Sequence, residues 1–280
     1  MSSGPDEGDV LAGHNVYGVL TRSVRDSAAV LDLIAGQQPG DPVVAPPPAQ
    51  PFRTSVKADP DPLHVGFMAV SEVNGYPIDE RVNAHTRRMA NLLDSLGHHV
   101  EESHPDAMTD PQYLDHFVKL LSPSVTALLD HLGDVAGRPL RHDEAEEIAW
   151  WWYDRGRTIS AADHVRHEMW RDEFRRRMAT WWADGFDVLL SPVVPNPPPP
   201  LGYFAGSEGI KRSVDILCFT PQFNTTGQPA IAVPAGLTED GLPIGVQFVA
   251  AYGREDLLFA LAAQVERAAP WSQRRPAVVL

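Results

Sequence analysis

The sequence predicts an α/β fold: a mixed sheet flanked by helices, with a helical insertion in the middle. Three observations carry this. Apolar segments of strand length lie on both sides of a long helical stretch; a strand–helix–strand succession occupies the first third; and two apolar strands, each introduced by a Gly-x-Pro step, lie near the end.

The elements follow in order. Ser23-x-x-Asp26 resembles a capping box and opens a helix over 24–35, with Val24, Ala28, Leu31 and Ala35 on one face and Gly36 as its stop. Residues 37–62 are linker-like and contain Pro46-Pro47-Pro48. Pro-rich connections of this kind are semi-rigid and fit equally well against the surface. A buried strand over 63–70, an amphipathic helix over 79–96 ended by Gly97, and a strand from His99 to Glu101 make a βαβ unit, so part of the sheet is expected to be parallel. Residues 111–183 read as helical throughout, with Ser160 capping a helix that carries Trp170, Phe174, Met178 and Trp181. A further buried strand covers 186–190 and is followed by a second proline-rich stretch, Pro195 and Pro197 to Pro200. After the two apolar strands, a last helix runs over 255–267. The expectation is one domain over residues 1–280, with its insertion at about 110–183.

Composition narrows the function. The 280 residues are 43% hydrophobic, enough for a sizeable core, and the formal charge of -14 disfavours nucleic acid, which selects a basic footprint. No apolar run is long enough to span a membrane, and the acidic start lacks the pattern of a signal peptide. The single Cys218 excludes an intrachain disulfide and points to a reducing compartment, the cytoplasm.

Most catalytic signatures are absent. The sequence holds no Gly-x-Gly-x-x-Gly or Walker motif, so no nucleotide cofactor is expected. Ala205-Gly206-Ser207-Glu208-Gly209 misses the nucleophile elbow by one residue and follows a proline run. His164 and His167 stand at a metal-compatible spacing, but no third ligand accompanies them, and a charged helix face explains them better. His98-His99 begins an edge strand and needs no special role. Trp150-Trp151-Trp152 suits core packing or an apolar cavity; three consecutive residues cannot share one helix face.

The most specific stretch is Phe223-Asn224-Thr225-Thr226-Gly227-Gln228-Pro229-Ala230, then Val233-Pro234-Ala235-Gly236, then Gly241-Leu242-Pro243-Ile244-Gly245-Val246-Gln247. It resembles the C-terminal motif of the amidase signature family. Thr21-Arg22-Ser23-Val24-Arg25-Asp26, Phe186-Asp187-Val188-Leu189-Leu190-Ser191-Pro192 and Gly253-Arg254-Glu255-Asp256 are similar to other family segments, in the family's order.

The resemblance implies hydrolysis of a carboxylic amide by a Ser nucleophile, a second Ser in a cis peptide and a Lys. Backbone donors of a Gly-Gly-Ser turn would hold the oxyanion. All of these lie upstream of the Thr-Arg-Ser segment in the family, whereas Thr21 has only twenty residues before it. None of the three lysines, Lys57, Lys119 and Lys211, has a Ser-rich motif around it, and Ser2-Ser3-Gly4 looks like the tail of the family segment just after the catalytic part, not its Ser-Ser pair.

The chain is therefore expected to be the C-terminal part of an amidase, with no catalytic residue, metal or cofactor of its own and no activity alone. Phe223, Asn224, Thr226 and Gly227 match the motif near the catalytic centre and are the candidate substrate-binding residues. The expected partners are a small-molecule amide and either a homodimer mate or an N-terminal catalytic half. The missing strands should leave an apolar face and an open sheet edge. The alternatives are a non-catalytic binding or assembly module, a part of an amidotransferase subunit, and, third, a metal-dependent hydrolase.

Overall fold

The computed structural model describes residue 11 and residues 13–41 and 43–275, apart from the side chain of Ser207. The Ser2-Ser3-Gly4 segment lies outside the described residues. In chain order the strands are β1 (His64–Phe67), β2 (Glu72–Val73), β3 (Tyr76–Pro77), β4 (His99–Glu102), β5 (Val188–Pro192), β6 (Ala230–Leu237) and β7 (Pro243–Ala250). The helices are α1 (Val24–Ile34), α2 (Phe52–Ser55), α3 (Glu80–Ser95), α4 (Tyr113–Val135), α5 (Glu147–Gly156), α6 (Ala161–Ala183), α7 (Gly206–Asp215), α8 (Pro221–Thr226) and α9 (Glu255–Ala268).

Five strands form one mixed sheet in the order β4-β1-β5-β7-β6, and β2 with β3 makes a separate two-stranded hairpin. β1 pairs in parallel with β4 and with β5, as the βαβ reading requires. β7 then runs antiparallel to both β5 and β6. The 63–70 segment supplies a shorter strand than expected, because its end turns away into the β2–β3 hairpin.

Each face of the sheet is covered, and the strand period sorts the side chains between the two. Val188 and Leu190 of β5 join α1, α9 and Met89, Ala90 and Leu93 of α3 in one cluster. Leu189, between them, joins Tyr113, Phe174, Met178 and Phe223 in the other. Helices α4 and α6, from the stretch read as helical, form the layer on the second face.

Local chemistry explains the boundaries. Ser23 Oγ accepts from the Asp26 N–H at 3.2 Å, Asp79 from Arg81 at 2.8 Å, and Ser160 from Asp163 at 3.1 Å, so three caps open α1, α3 and α6. The linker over 37–62 is not free: Asp32 accepts from the Phe52 N–H at 2.6 Å, and Phe52 is buried against Phe259. Among the described residues no helix is long and apolar enough to cross a membrane.

Candidate functional site

Four of the residues singled out by sequence lie on or just after α8. Pro221 opens it with a fixed φ, and Gly227 ends it at φ 82, donating its N–H to the Phe223 carbonyl at 2.8 Å. The segment is therefore a short helix leading into β6. Phe223 is buried in the core cluster of the helical layer. Asn224 Nδ2 donates to the His14 carbonyl at 2.6 Å. The Thr226 hydroxyl has three acceptors in reach, Gln228 Oε1 at 2.5 Å, the Gln222 carbonyl at 3.0 Å and the Phe223 carbonyl at 3.4 Å. A Cβ added at Gly227 would meet the Tyr252 ring at 3.3 Å.

Thr225, not chosen from sequence, is the centre of this region. Its fully buried hydroxyl lies 2.9 Å from the Tyr113 hydroxyl and 2.9 Å from His14 Nε2. Its carbonyl accepts from Arg175 Nε at 3.0 Å. His14 Nδ1 faces the Leu11 carbonyl at 3.0 Å, an atom that only accepts, so Nδ1 carries a hydrogen. The Thr225 hydroxyl donates to the Pro221 carbonyl at 3.0 Å, so the Tyr113 hydroxyl donates to Thr225. Burial pushes the Tyr113 phenol above its ordinary range, which keeps it a neutral donor. Burial also lowers the Arg175 guanidinium. The network ties the N-terminal segment, α4, α6 and α8 together, and its buried groups satisfy one another.

The concave surfaces lie elsewhere. A cavity of about 710 Å³ is lined by residues 103–107 and 109–111 and by Arg177, Thr180, Trp181 and Asp184. A groove of about 520 Å³ runs between residues 16–24 and residues 229–234, floored by Leu31, Leu258 and Phe259. Val16, Tyr17, Val19 and Leu20 stand exposed along it, Leu20 entirely so. β6 beside it ends the sheet with no further strand among the described residues. Neither cavity includes a residue of α8.

Other candidates have ordinary roles. Lys57 is exposed, Lys119 Nζ is 2.7 Å from Asp115, and Lys211 pairs with Asp215, which raises the Lys211 pKa. A lysine acting as base needs the opposite environment, burial that strips its proton. Ser207 lies in the first turn of α7, after a turn and not a strand. His164 and His167 do not share a ligand position: His167 Nδ1 meets His116 Nδ1 at 2.9 Å, and His164 faces Glu168. The tryptophans divide. Trp150 donates to the His142 carbonyl at 2.9 Å, Arg155 lies 3.4 Å over Trp151, and only Trp152 packs toward the core, edge-on to Phe117. Burial pushes the Cys218 thiol up to about 12, leaving it unreactive.

A mixed sheet covered by α1, α3 and α9 on one face and a helical layer on the other is the fold of amidase signature enzymes. It superposes on the solved structure of 6-aminohexanoate cyclic dimer hydrolase with a TM-score of 0.87 at 35% identity, covering 92% of this chain and 55% of that one. The chain belongs to the amidase family, whose profile, described as Amidase, matches residues 6–259. It is 36% identical to the 6-aminohexanoate-cyclic-dimer hydrolases of Pseudomonas sp. (strain NK87) and Paenarthrobacter ureafaciens, over 99% of its own length and 58% of theirs. The chain thus spans little more than half the length of these curated relatives.

Proposed function

We propose that this chain is the C-terminal part of an amidase that hydrolyses a carboxylic amide C–N bond, and that these 280 residues do not turn over an amide alone. The observation that carries the reading is the groove between residues 16–24 and β6: an apolar channel beside an open strand edge, where the rest of an amidase sheet would dock. An unpaired edge with an exposed apolar face is a ready-made binding surface.

In this reading the nucleophilic Ser, the cis-Ser and the Lys of the family belong to the docked part. The three lysines here sit on the surface, two of them paired with carboxylates, and none is placed to act as a base. Our chain supplies the wall behind the substrate. Phe223, Asn224, Thr226 and Gly227 set the approach of β6, with the Tyr113–Thr225–His14 network fixing the helix that carries them. Asn224 and Gly227 are the residues assigned to contact the substrate. The substrate class is an aliphatic amide of the kind named in the relatives that are 36% identical. The lone, buried Cys218 supports a reducing, cytoplasmic location.

The test joins this chain to the N-terminal part of the Paenarthrobacter ureafaciens relative and follows hydrolysis of the 6-aminohexanoate cyclic dimer. The joined protein is expected to hydrolyse it, and Asn224→Ala in that protein to raise KM or lower kcat beyond any loss of stability. Unchanged kinetics for Asn224→Ala would reject the substrate-wall assignment.

A further inference from the structure

The β4 edge of the sheet carries a cluster that the amide chemistry does not use. His64 and His99 stand opposite each other in the parallel register of β1 and β4. Glu101, two residues along β4, projects from the same face as His99. The two imidazole rings are 4.9 Å apart, and His64 Nε2 lies 2.7 Å from Glu101 Oε1. One donor atom from each of the three residues falls within 4.8 Å of the others. His98, the neighbour of His99, points the other way, into the core, where its Nδ1 accepts from the Leu63 N–H at 3.1 Å.

The orientation of His64 is what gives the cluster its chemistry. Its Nδ1 is 3.1 Å from the Gly185 carbonyl, which can only accept, so Nδ1 carries a hydrogen. Its ring stacks on Phe186 at 4.1 Å, and its main-chain N–H donates to Asp187 at 2.8 Å. The imidazole is therefore held with Nε2 toward the Glu101 carboxylate. A lone pair and a carboxylate repel at that separation, so a proton lies between them, in the place that a metal ion would take if Glu101 moved back. A histidine whose far nitrogen donates to a backbone carbonyl is the arrangement that metal sites use to orient a ligand.

We propose that His64, His99 and Glu101 bind a divalent ion of the zinc class, with one or more water ligands completing the coordination. Zinc takes imidazole nitrogen and carboxylate oxygen at about 2.0–2.2 Å in tetrahedral geometry, so Glu101 must move slightly away from His64 Nε2 while His99 turns in to complete the set. His99 and Glu101 are exposed at the sheet edge and free to make that adjustment, while His64 stays fixed. The ion would staple the short edge strand β4 to β1.

Equilibrium dialysis of the purified chain against zinc chloride, with metal counted per chain, tests this. The expected result is one zinc per chain. His99→Ala and Glu101→Gln should each weaken retention about tenfold or more, and both side chains are exposed, so the fold is kept. His167→Ala, which breaks the other close histidine pair, should leave retention unchanged. Zinc should also raise the melting temperature of the unaltered chain and of neither site variant. No retained zinc, or equal retention by either site variant, would overturn the assignment.

Discussion

The two edges of the sheet are built to opposite rules. β4 is four residues long and carries His99, Glu101 and Glu102 outward, and the chain leaves it at Ser103, whose N–H donates to the Phe67 carbonyl. Short, charged edges of this kind resist pairing with other chains. β6 is twice as long, with the uncharged sequence Ala-Ile-Ala-Val-Pro-Ala-Gly-Leu. Pro234 and the register shift between Pro234 and Gly236 blunt its second half. Ala230 to Val233 remain open, and these same residues line the apolar groove. One edge is finished for solvent; the other has the composition of an interface.

Experiments can break or sharpen that contrast. The largest effect is expected beside the finished edge. A Cβ at Gly66 of β1 would lie 2.4 Å from the Trp181 ring and 2.6 Å from the Ser103 carbonyl, so Gly66→Ala should cost about 3 kcal/mol in urea denaturation. An effect below about 0.5 kcal/mol would mean that β4 and α6 can shift apart, and that this edge is not fixed.

Next comes the support of the open edge. Thr225→Val removes the hydroxyl that the buried Tyr113 hydroxyl and His14 Nε2 both meet and should cost about 2 kcal/mol. Its hydrogen-exchange signature should be faster opening of α8 and the start of β6, with β1 and β4 unaffected. Uniform loosening of the whole sheet would show that the network does not serve this flank in particular.

A pH series supplies a control that favours neither edge. His116 Nδ1 and His167 Nδ1 are 2.9 Å apart between α4 and α6, so at most one of the facing nitrogens can carry a hydrogen. Burial lowers both pKa values from 6.5, aided at His116 by the His167 charge and at His167 by Lys119. The unfolded chain then takes up protons that the folded chain refuses. Stability from this pair is present above pH 6.5 and is lost as the pH falls below it. The melting temperature should drop on acidification through that range, and a double His116→Asn, His167→Asn variant should flatten the drop.

The smallest effect on stability, and the most specific, is expected from Ala232→Lys on β6. Ala232 is exposed, so stability should change by no more than about 0.5 kcal/mol. Self-association of the isolated chain, measured by light scattering, should nevertheless fall, because a lysine on an open edge opposes pairing. Unchanged association would locate the sticky surface elsewhere.

Much of this architecture was legible in the residues. Ser23 and Ser160 announced their helices through side-chain caps, and the β1–α3–β4 unit followed from period and punctuation, although Asp79, read as part of the helix, is the cap of α3. The α8 helix was not read from the sequence, although Pro221 at its start and Gly227 after its end are its signals, because short polar residues such as Asn224 and Thr226 fit a tight turn equally well. The Thr225 centre was not legible, because it joins residues up to 211 positions apart and neither threonine nor tyrosine is distinctive alone. The tryptophan run failed as a signal for a related reason: cation–π and main-chain partners absorb Trp150 and Trp151 at the surface, so aromatic density marked neither core nor pocket. The His64–His99–Glu101 cluster needed the parallel register to bring distant positions together.

The most direct measurement is turnover of the 6-aminohexanoate cyclic dimer by the purified 280-residue chain, with contaminating amidases excluded by labelling. The account predicts no product above the uncatalysed rate from the chain alone. Hydrolysis by this chain unaided would contradict it, since it would require a nucleophile and base among residues placed here in the scaffold.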